Sequence, residues 1–162
     1  RNKYRLASEN PAKDEVVARL LEHYPNSRVL IIGQYLKQLR QLSKRFKIPL
    51  ITGQTGNPER EELYNRFRRG EIRQLILSKV GNFALDLPDA NVLIQVSGTF
   101  GSRQEEAQRL GRLLRPKGNG RQAHFYSVVS RDTLDTDYAA HRQRFLAEQG
   151  YAYHIIDAED LR

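Results

Sequence analysis

The chain has 162 residues, 39% of them hydrophobic and 28% charged, which suffices for one folded domain with a core and excludes wholesale disorder. It has no cysteine, which excludes disulfides and cysteine nucleophiles. Its four histidines show no metal-ligand spacing, so no metal site is expected. No apolar run reaches the ~20 residues that cross a bilayer. Lys and Arg exceed Asp and Glu by 27 to 19, and the net charge of +8 favours a polyanionic partner such as nucleic acid, although basic residues also serve solubility alone.

Apolar runs and amphipathic stretches alternate along the chain. Asn10-Pro11 is typical of a helix start, and one helical face then carries Val16, Val17, Leu20 and Leu21. Residues 28–33 (RVLIIG) are continuously apolar, as in a strand buried on both faces. Further helices are predicted from residues 36, 57, 102 and 133, and further strands at residues 48–52, 73–78, 91–97, 122–130 and 151–156. Residues 1–9 are predicted to form a lead-in segment and residues 10–162 the domain.

The alternation of strands and helices predicts an α/β domain. Strands of near-continuous apolar character indicate a mostly parallel sheet that is covered by helices on both faces. Ligands of such sheets bind at the carboxyl ends of the strands. We therefore expect functional residues in the loops that follow residues 33, 52, 78, 97 and 130.

The usual phosphate-binding motifs are absent from this sequence. It contains no Gly-Lys pair, so it has no GxxxxGK[ST] loop, and no GxGxxG follows a predicted strand. Asp14-Glu15 resembles a magnesium-binding acidic pair, but it falls in the first turn of a predicted helix, where acidic side chains favour the helix dipole. The chain alone is not expected to hydrolyse ATP.

The helix predicted over residues 102–115 carries an unusual set of arginines. Gln108, Arg112 and Arg115 share one face, and Arg109, Arg112 and Arg115 stand at successive i, i+3 steps, where each like-charge pair costs about 0.2–0.5 kcal/mol. Gly111 adds about 0.5–1 kcal/mol relative to alanine. Phosphoryl transfer would use such guanidinium groups, because an arginine finger accelerates it by about 10³–10⁵. The alternative is a basic, solvated helix face.

Residues 108–115 (QRLGRLLR) resemble motif VI of superfamily 2 helicases. The segment from Gly53 to Gly70 matches a G-x-T…R…F…G pattern of the same superfamily, residues 78–88 (SKVGNFALDLP) resemble motif V, and residues 29–34 occupy the place of motif IV. With RQRFLAEQGY at residues 142–151, the ordered set is most similar to the xeroderma pigmentosum group B (XPB) branch of DNA helicases, over about residues 10–153.

The resemblance implies a RecA-like three-layer fold, the second such domain of a helicase. ATP with Mg²⁺ would then be bound mainly by a first RecA-like domain, and the chain would be the C-terminal half of a longer motor. The expected partners are DNA, the N-terminal helicase domain of the same chain, and a repair nuclease or a transcription–repair complex, with no membrane. The expected location is the nucleoid-associated cytoplasm in a prokaryote or the nucleus in a eukaryote.

The motifs also imply roles at the nucleotide. Arg112 and Arg115 match the arginine fingers and are the predicted catalytic residues. Gln108 matches a polar residue that links motif VI to the nucleotide, and Arg109 matches the second position of that motif, with a surface ion pair as its alternative. Asp86 matches the acid of motif V, which accepts hydrogen bonds from ribose hydroxyls or pairs with an arginine; its alternative is a structural cap.

Predicted DNA contacts follow the strands. Gln34, Thr55, Ser78 and Lys79 come just after or at predicted strand ends, and Arg103 lies at the start of a predicted helix. Short polar side chains and free backbone N–H groups suit phosphate contacts that carry no sequence information, as a translocating motor requires.

The function implied by the resemblance is that of the C-terminal motor domain of an ATP-dependent 3′–5′ DNA helicase or translocase, in repair or transcription-linked duplex opening. The residues themselves do not show polarity. The alternatives are half of an RNA helicase or duplex translocase of the same superfamily, and a non-catalytic nucleic-acid-binding module.

Overall fold

The computed structural model describes residues 11–78, 90–97, 123–129 and 152–158. In chain order the elements are α1 (Pro11–His23), β1 (Val29–Gly33), α2 (Leu36–Phe46), β2 (Leu50–Ile51), α3 (Asn57–Arg68), β3 (Gln74–Ser78), β4 (Val92–Gln95), β5 (His124–Val129) and β6 (Ala152–Asp157). The lead-in segment and the helices predicted from residues 102 and 133 lie outside the described residues. None of the described helices is long and apolar enough to cross a bilayer.

The six strands form one sheet in the order β2-β3-β1-β4-β5-β6, and every neighbouring pair is parallel. β1 lies at the centre, where Leu30 pairs with Leu75 of β3 on one side and with Leu93 of β4 on the other. All five residues of β1 are buried, as the apolar run predicts. The predicted parallel α/β sheet is therefore confirmed.

Helices cover both faces of this sheet. On one face, α1 and α2 pack against the sheet through Val16, Val17 and Leu39, which contact the side chains of alternate strand residues such as Ile31 and Ile94. On the other face, Tyr64 and Phe67 of α3 pack with Leu30, Leu75 and Leu93. Because neighbouring strand residues point to opposite faces, the strands contribute to both cores at once, which gives the predicted three-layer arrangement.

The boundaries of the helices follow local chemistry. Gly56 is the extended N-cap of α3, and Pro58 stands in the first turn, where its missing N–H costs no hydrogen bond. α2 ends at Phe46, and its C-cap residue Lys47 has a left-handed φ of 55°. The strand predicted over residues 48–52 is shorter in the structure, Leu50–Ile51, because it pairs only with β3 and Pro49 has no N–H to donate.

An aromatic and histidine cluster joins α1 to β5 and β6. The His124 Nδ1 and His154 Nε2 atoms lie 3.1 Å apart, and the His154 ring stacks on Tyr126 with 4.4 Å between centroids. Tyr24, just beyond α1, contacts both His124 and Tyr126, and its hydroxyl is hydrogen-bonded to that of Tyr126. Burial lowers the pKa of His124 and that of His154, and it raises the pKa of Tyr126. Burial therefore favours the neutral form of both imidazoles.

We expect this cluster to make the stability of the fold depend on pH. The folded pKa of each histidine lies below the ordinary 6.5, so the unfolded chain binds more protons as the pH falls through 6.5. The free energy of unfolding should therefore be fully retained above pH 6.5 and decrease below it. Chemical denaturation at pH 8.0 and 5.5 measures the decrease, and His124→Gln should make it smaller. An equal decrease in His124→Gln and in the parent chain would contradict this explanation.

Candidate functional site

Three neighbouring strands end together at the carboxyl edge of the sheet. Gly33, the last residue of β1, pairs with Ser78, the last residue of β3, and Ile32 pairs with Gln95 at the end of β4. Immediately beyond β1, the backbone N–H of Gln34 donates a hydrogen bond to Ser97 Oγ at 2.8 Å. Two predicted contact residues, Gln34 and Ser78, are thus brought to one edge by the parallel register.

Close packing fixes the backbone where β1 turns into α2. A Cβ atom at Gly33 would lie 2.9 Å from Ser97 Oγ and 3.0 Å from side-chain carbons of both Leu39 and Val96. Only glycine fits this position without displacing its neighbours. The Gln34 amide is therefore held against Ser97, and the turn is a rigid part of the edge.

Ser78 presents a polar group at the same edge. The residue is 8% exposed, and its Oγ has no hydrogen-bond partner within the part of the chain that the structure describes. A buried hydroxyl without a hydrogen-bond partner costs stability, because its polar group is desolvated without compensation. Ser78 can donate to, or accept from, a ligand that reaches the ends of β1 and β3.

Thr55 belongs to a hydrogen-bonded turn between β2 and α3. Its Oγ1 accepts a hydrogen bond from the Thr52 N–H at 2.9 Å, and its own N–H donates to the Thr52 carbonyl at 3.1 Å. Thr55 Oγ1 keeps its O–H as a donor, and the residue is half-exposed. Since β2 pairs with β3, this turn follows the strand next to Ser78.

A buried lysine at this edge was not predicted. Lys13 is 4% exposed, and its Nζ donates a hydrogen bond to the Val96 carbonyl, just beyond β4, at 2.9 Å. Burial lowers the pKa of Lys13 to about 8, so the ammonium form still predominates at pH 7 and places a positive charge under the edge. The available signal was its spacing: Lys13 stands at i−3 and i−4 from the buried Val16 and Val17, which puts it on the apolar face of α1.

The neighbouring acidic pair does not form a metal site with the residues that the structure describes. Arg45 Nη1 lies 2.7 Å from Glu15 Oε2, so Glu15 links α1 to α2 across the surface. Burial raises the pKa of Asp14, although Arg45 opposes the shift. Among the described residues no group of three His, Cys, Asp or Glu side chains is placed to hold a metal ion.

The remaining predicted site residues lie outside the described residues: Lys79, Asp86, Arg103, Gln108, Arg109, Arg112 and Arg115. The described side of the edge carries the hydroxyls of Ser78 and Thr55 and one buried ammonium group, whereas the Gln34 and Thr55 amides are already hydrogen-bonded within the protein. It offers no pair of groups arranged for acid–base catalysis. This chemistry suits recognition of an anion, such as a phosphate, better than bond cleavage by this edge alone.

Comparison with known proteins identifies the family of this chain. Residues 1–161 match the family model of the ERCC3/RAD25/XPB C-terminal helicase. The chain is 60% identical to a DNA 3′-5′ helicase XPB of Kineococcus radiotolerans and 58% identical to one of Mycobacterium tuberculosis, over 98% of its length in each case. It is 39% identical, over 93% of its length, to the XPB subunit of general transcription and DNA repair factor IIH of Danio rerio. It spans 28%, 29% and 20% of these three relatives, respectively.

Solved structures of helicase domains share the fold. The C-terminal domain of the DEAD-box protein Dbp5 matches with a TM-score of 0.72 and 17% identity, covering 95% of this chain and 88% of that one. The E. coli DEAD-box protein SrmB matches with a TM-score of 0.67 and 17% identity, covering 94% and 89%. The fold is RecA-like, and the chain belongs to the ERCC3/RAD25/XPB C-terminal helicase family.

Proposed function

We propose that the chain is the second RecA-like motor domain of an ATP-dependent 3′–5′ DNA helicase or translocase. The observation that carries the proposal is the family match over residues 1–161, together with bacterial relatives at 58–60% identity that are named DNA 3′-5′ helicases. The polar edge formed by Gln34, Thr55 and Ser78 supports it independently, because it lies where parallel sheets bind their ligands.

ATP would be shared between this domain and a first RecA-like domain of the full-length protein. The sequence has no phosphate loop, and the described residues do not provide a set of Mg²⁺ ligands. The family resemblance implies that the other domain holds the phosphates and Mg²⁺, and this chain would contribute positive charge. Arg112 and Arg115 would approach the γ-phosphate across the interface, and Gln108, Arg109 and Asp86 would order the surrounding contacts.

DNA would lie along the carboxyl edge of the sheet. Hydroxyls of Ser78 and Thr55 and the segment at Gln34 can contact sugar and phosphate groups, and Lys79 and Arg103 would add positive charge. These contacts would go to sugar and phosphate groups and not to the base edges, so DNA binding would be independent of the base sequence. ATP-driven closure of the two domains, followed by hydrolysis and reopening, would then move this edge along one strand.

The names of the relatives also suggest the setting. The Danio rerio relative is a subunit of general transcription and DNA repair factor IIH, so a transcription–repair complex is the proposed class of partner. The bacterial relatives are more similar to this chain, which favours a nucleoid-associated role in duplex opening.

Removal of the Ser78 hydroxyl tests the DNA edge. In the full-length helicase, Ser78→Ala should raise the DNA concentration that half-maximally stimulates ATPase activity at least ~10-fold, because a hydrogen bond to a charged group contributes roughly 1.5–3 kcal/mol. Stability should be unchanged or higher, since the hydroxyl has no partner among the described residues. The matched control is Ser27→Ala, a serine that is equally buried but precedes β1 at the opposite edge. Equal stimulation constants in both variants would contradict the assignment.

Truncation of the proposed arginine fingers tests the nucleotide side. Arg112→Ala or Arg115→Ala in the full-length helicase should lower the kcat for ATP hydrolysis at least ~10³-fold, with DNA affinity roughly retained. The control is Arg19→Ala, which removes an exposed arginine of α1. Steady-state ATPase assays at saturating DNA measure the effect. A loss smaller than tenfold would argue against arginine fingers and favour a non-catalytic nucleic-acid-binding module.

A further inference from the structure

The outer surface of α2 carries a row of positive charges. The helix LKQLRQLSKRF contains no acidic residue, and its buried side is formed by Gln38, Leu39 and Leu42. Three exposed cations of α2, Lys37, Arg40 and Lys44, stand at i, i+3 and i+7 and therefore share the opposite, outer side, and the exposed C-cap residue Lys47 follows them. We call this row the α2 stripe; its members are Lys37, Arg40, Lys44 and Lys47.

The α2 stripe is not neutralised within the described part of the protein. No described carboxylate forms an ion pair with any of its four members. The contrast with α3 is clear: Arg66 and Arg69 both pair with Glu71, and Arg69 also pairs with Glu62. Exposed charges on α3 are therefore balanced locally, whereas those on α2 are left for the solvent or a partner.

Helix energetics do not account for the whole α2 stripe. Cations in the last turn interact favourably with the helix dipole, which explains Lys44 and Lys47. Lys37 lies in the first turn, where a cation is unfavourable, and Arg40 stands between two like charges at i−3 and i+4. Because the charges at these two positions are unfavourable within the helix, they indicate an interaction with a partner outside it.

The α2 stripe is continuous with the carboxyl edge. α2 begins at Leu36, two residues after the Gln34 amide that is bonded to Ser97, and the helix then runs away from that edge. From Lys37 to Lys47 the stripe extends ~15 Å along the helix axis. A polyanion that leaves the edge beside Gln34 can therefore follow the stripe without crossing an acidic region of α2.

We propose that the α2 stripe binds the sugar–phosphate backbone of DNA outside the carboxyl edge, as a second contact of this domain. The inference rests on the proposed DNA-translocating function and extends its DNA path. Lysine and arginine at these positions would neutralise phosphates and release counterions, without reading sequence. DNA is favoured over an acidic protein because the stripe begins at the proposed DNA edge and because the chain carries a net charge of +8.

The test uses the full-length helicase and a duplex with a single-stranded tail. Lys37→Gln, Arg40→Gln and Lys44→Gln are combined, and Lys47 is kept because it ends the helix with a left-handed φ. Dissociation constants are measured between 50 and 200 mM salt. If the three side chains each contact a phosphate, the slope of log K against log[salt] should become shallower by about 2–3, since each neutralised phosphate contributes about 0.7–0.9. Affinity at the low-salt end should fall at least tenfold.

The control variant removes three exposed arginines from other surfaces, Arg19, Arg68 and Arg73, by the same change to Gln. It alters net charge equally, so a purely global charge effect would lower affinity in both variants alike and would overturn the proposal. If the triple variant folds poorly, the single variant Arg40→Glu is measured instead. Its slope of log K against log[salt] should be shallower than that of the parent by about 1.

The outcome separates this inference from the proposed function. One result is an ATPase activity that is stimulated by DNA and depends on Arg112 while the salt slope of the stripe variant is unchanged. That result would overturn DNA binding by the α2 stripe alone and would leave an acidic protein surface as the partner of the stripe. Absence of DNA stimulation in the parent helicase would overturn the proposed function itself.

Discussion

The parallel pairing of β1 with both β3 and β4 is the constraint on which the rest of the structure depends. Because all three strands run in one direction and are buried on both faces, their carboxyl ends must meet at a single edge. Gly33, Ser78 and the segment after Gln95 become neighbours although they are far apart in sequence. The same register places α1 and α2 on one face and α3 on the other, so the polar edge is bounded by rigid elements.

Much of this architecture can be predicted from the sequence, because apolar runs and helical spacing indicate which residues are buried. The run at residues 28–33 predicts β1, and Asn57-Pro58 predicts the start of α3. Features that depend on contacts between distant segments were missed. His124 and His154 meet because β5 and β6 are neighbours, and Tyr64 is buried beside Phe67 because α3 packs closely on the sheet.

The candidate site likewise contains residues that the sequence predicts and residues that it does not. The positions of Gln34 and Ser78 follow from the rule that parallel strands end together, so sequence order suffices to predict them. Lys13 could not be predicted as a group of the edge, since the Val96 carbonyl that accepts its hydrogen bond is far away in sequence and is brought to it by the fold. The residues assigned to ATP rest on motif resemblance, because their role depends on a second domain and on segments outside the described residues.

Electrostatics then connect the fold to the proposed function. The acidic and basic residues of α3 balance one another, and the ammonium group of Lys13 is buried under the edge. The cations of the α2 stripe are exposed and form no ion pair with a described carboxylate. The described outer side of α2 thus carries positive charge that begins close to the carboxyl edge. A structure of the full-length helicase with tailed DNA and a non-hydrolysable ATP analogue tests this account most directly. We expect DNA phosphates within hydrogen-bond distance of the Ser78 edge and both Arg112 and Arg115 facing the γ-phosphate. DNA bound at the opposite edge of the sheet, or arginines turned away from the nucleotide, would contradict it.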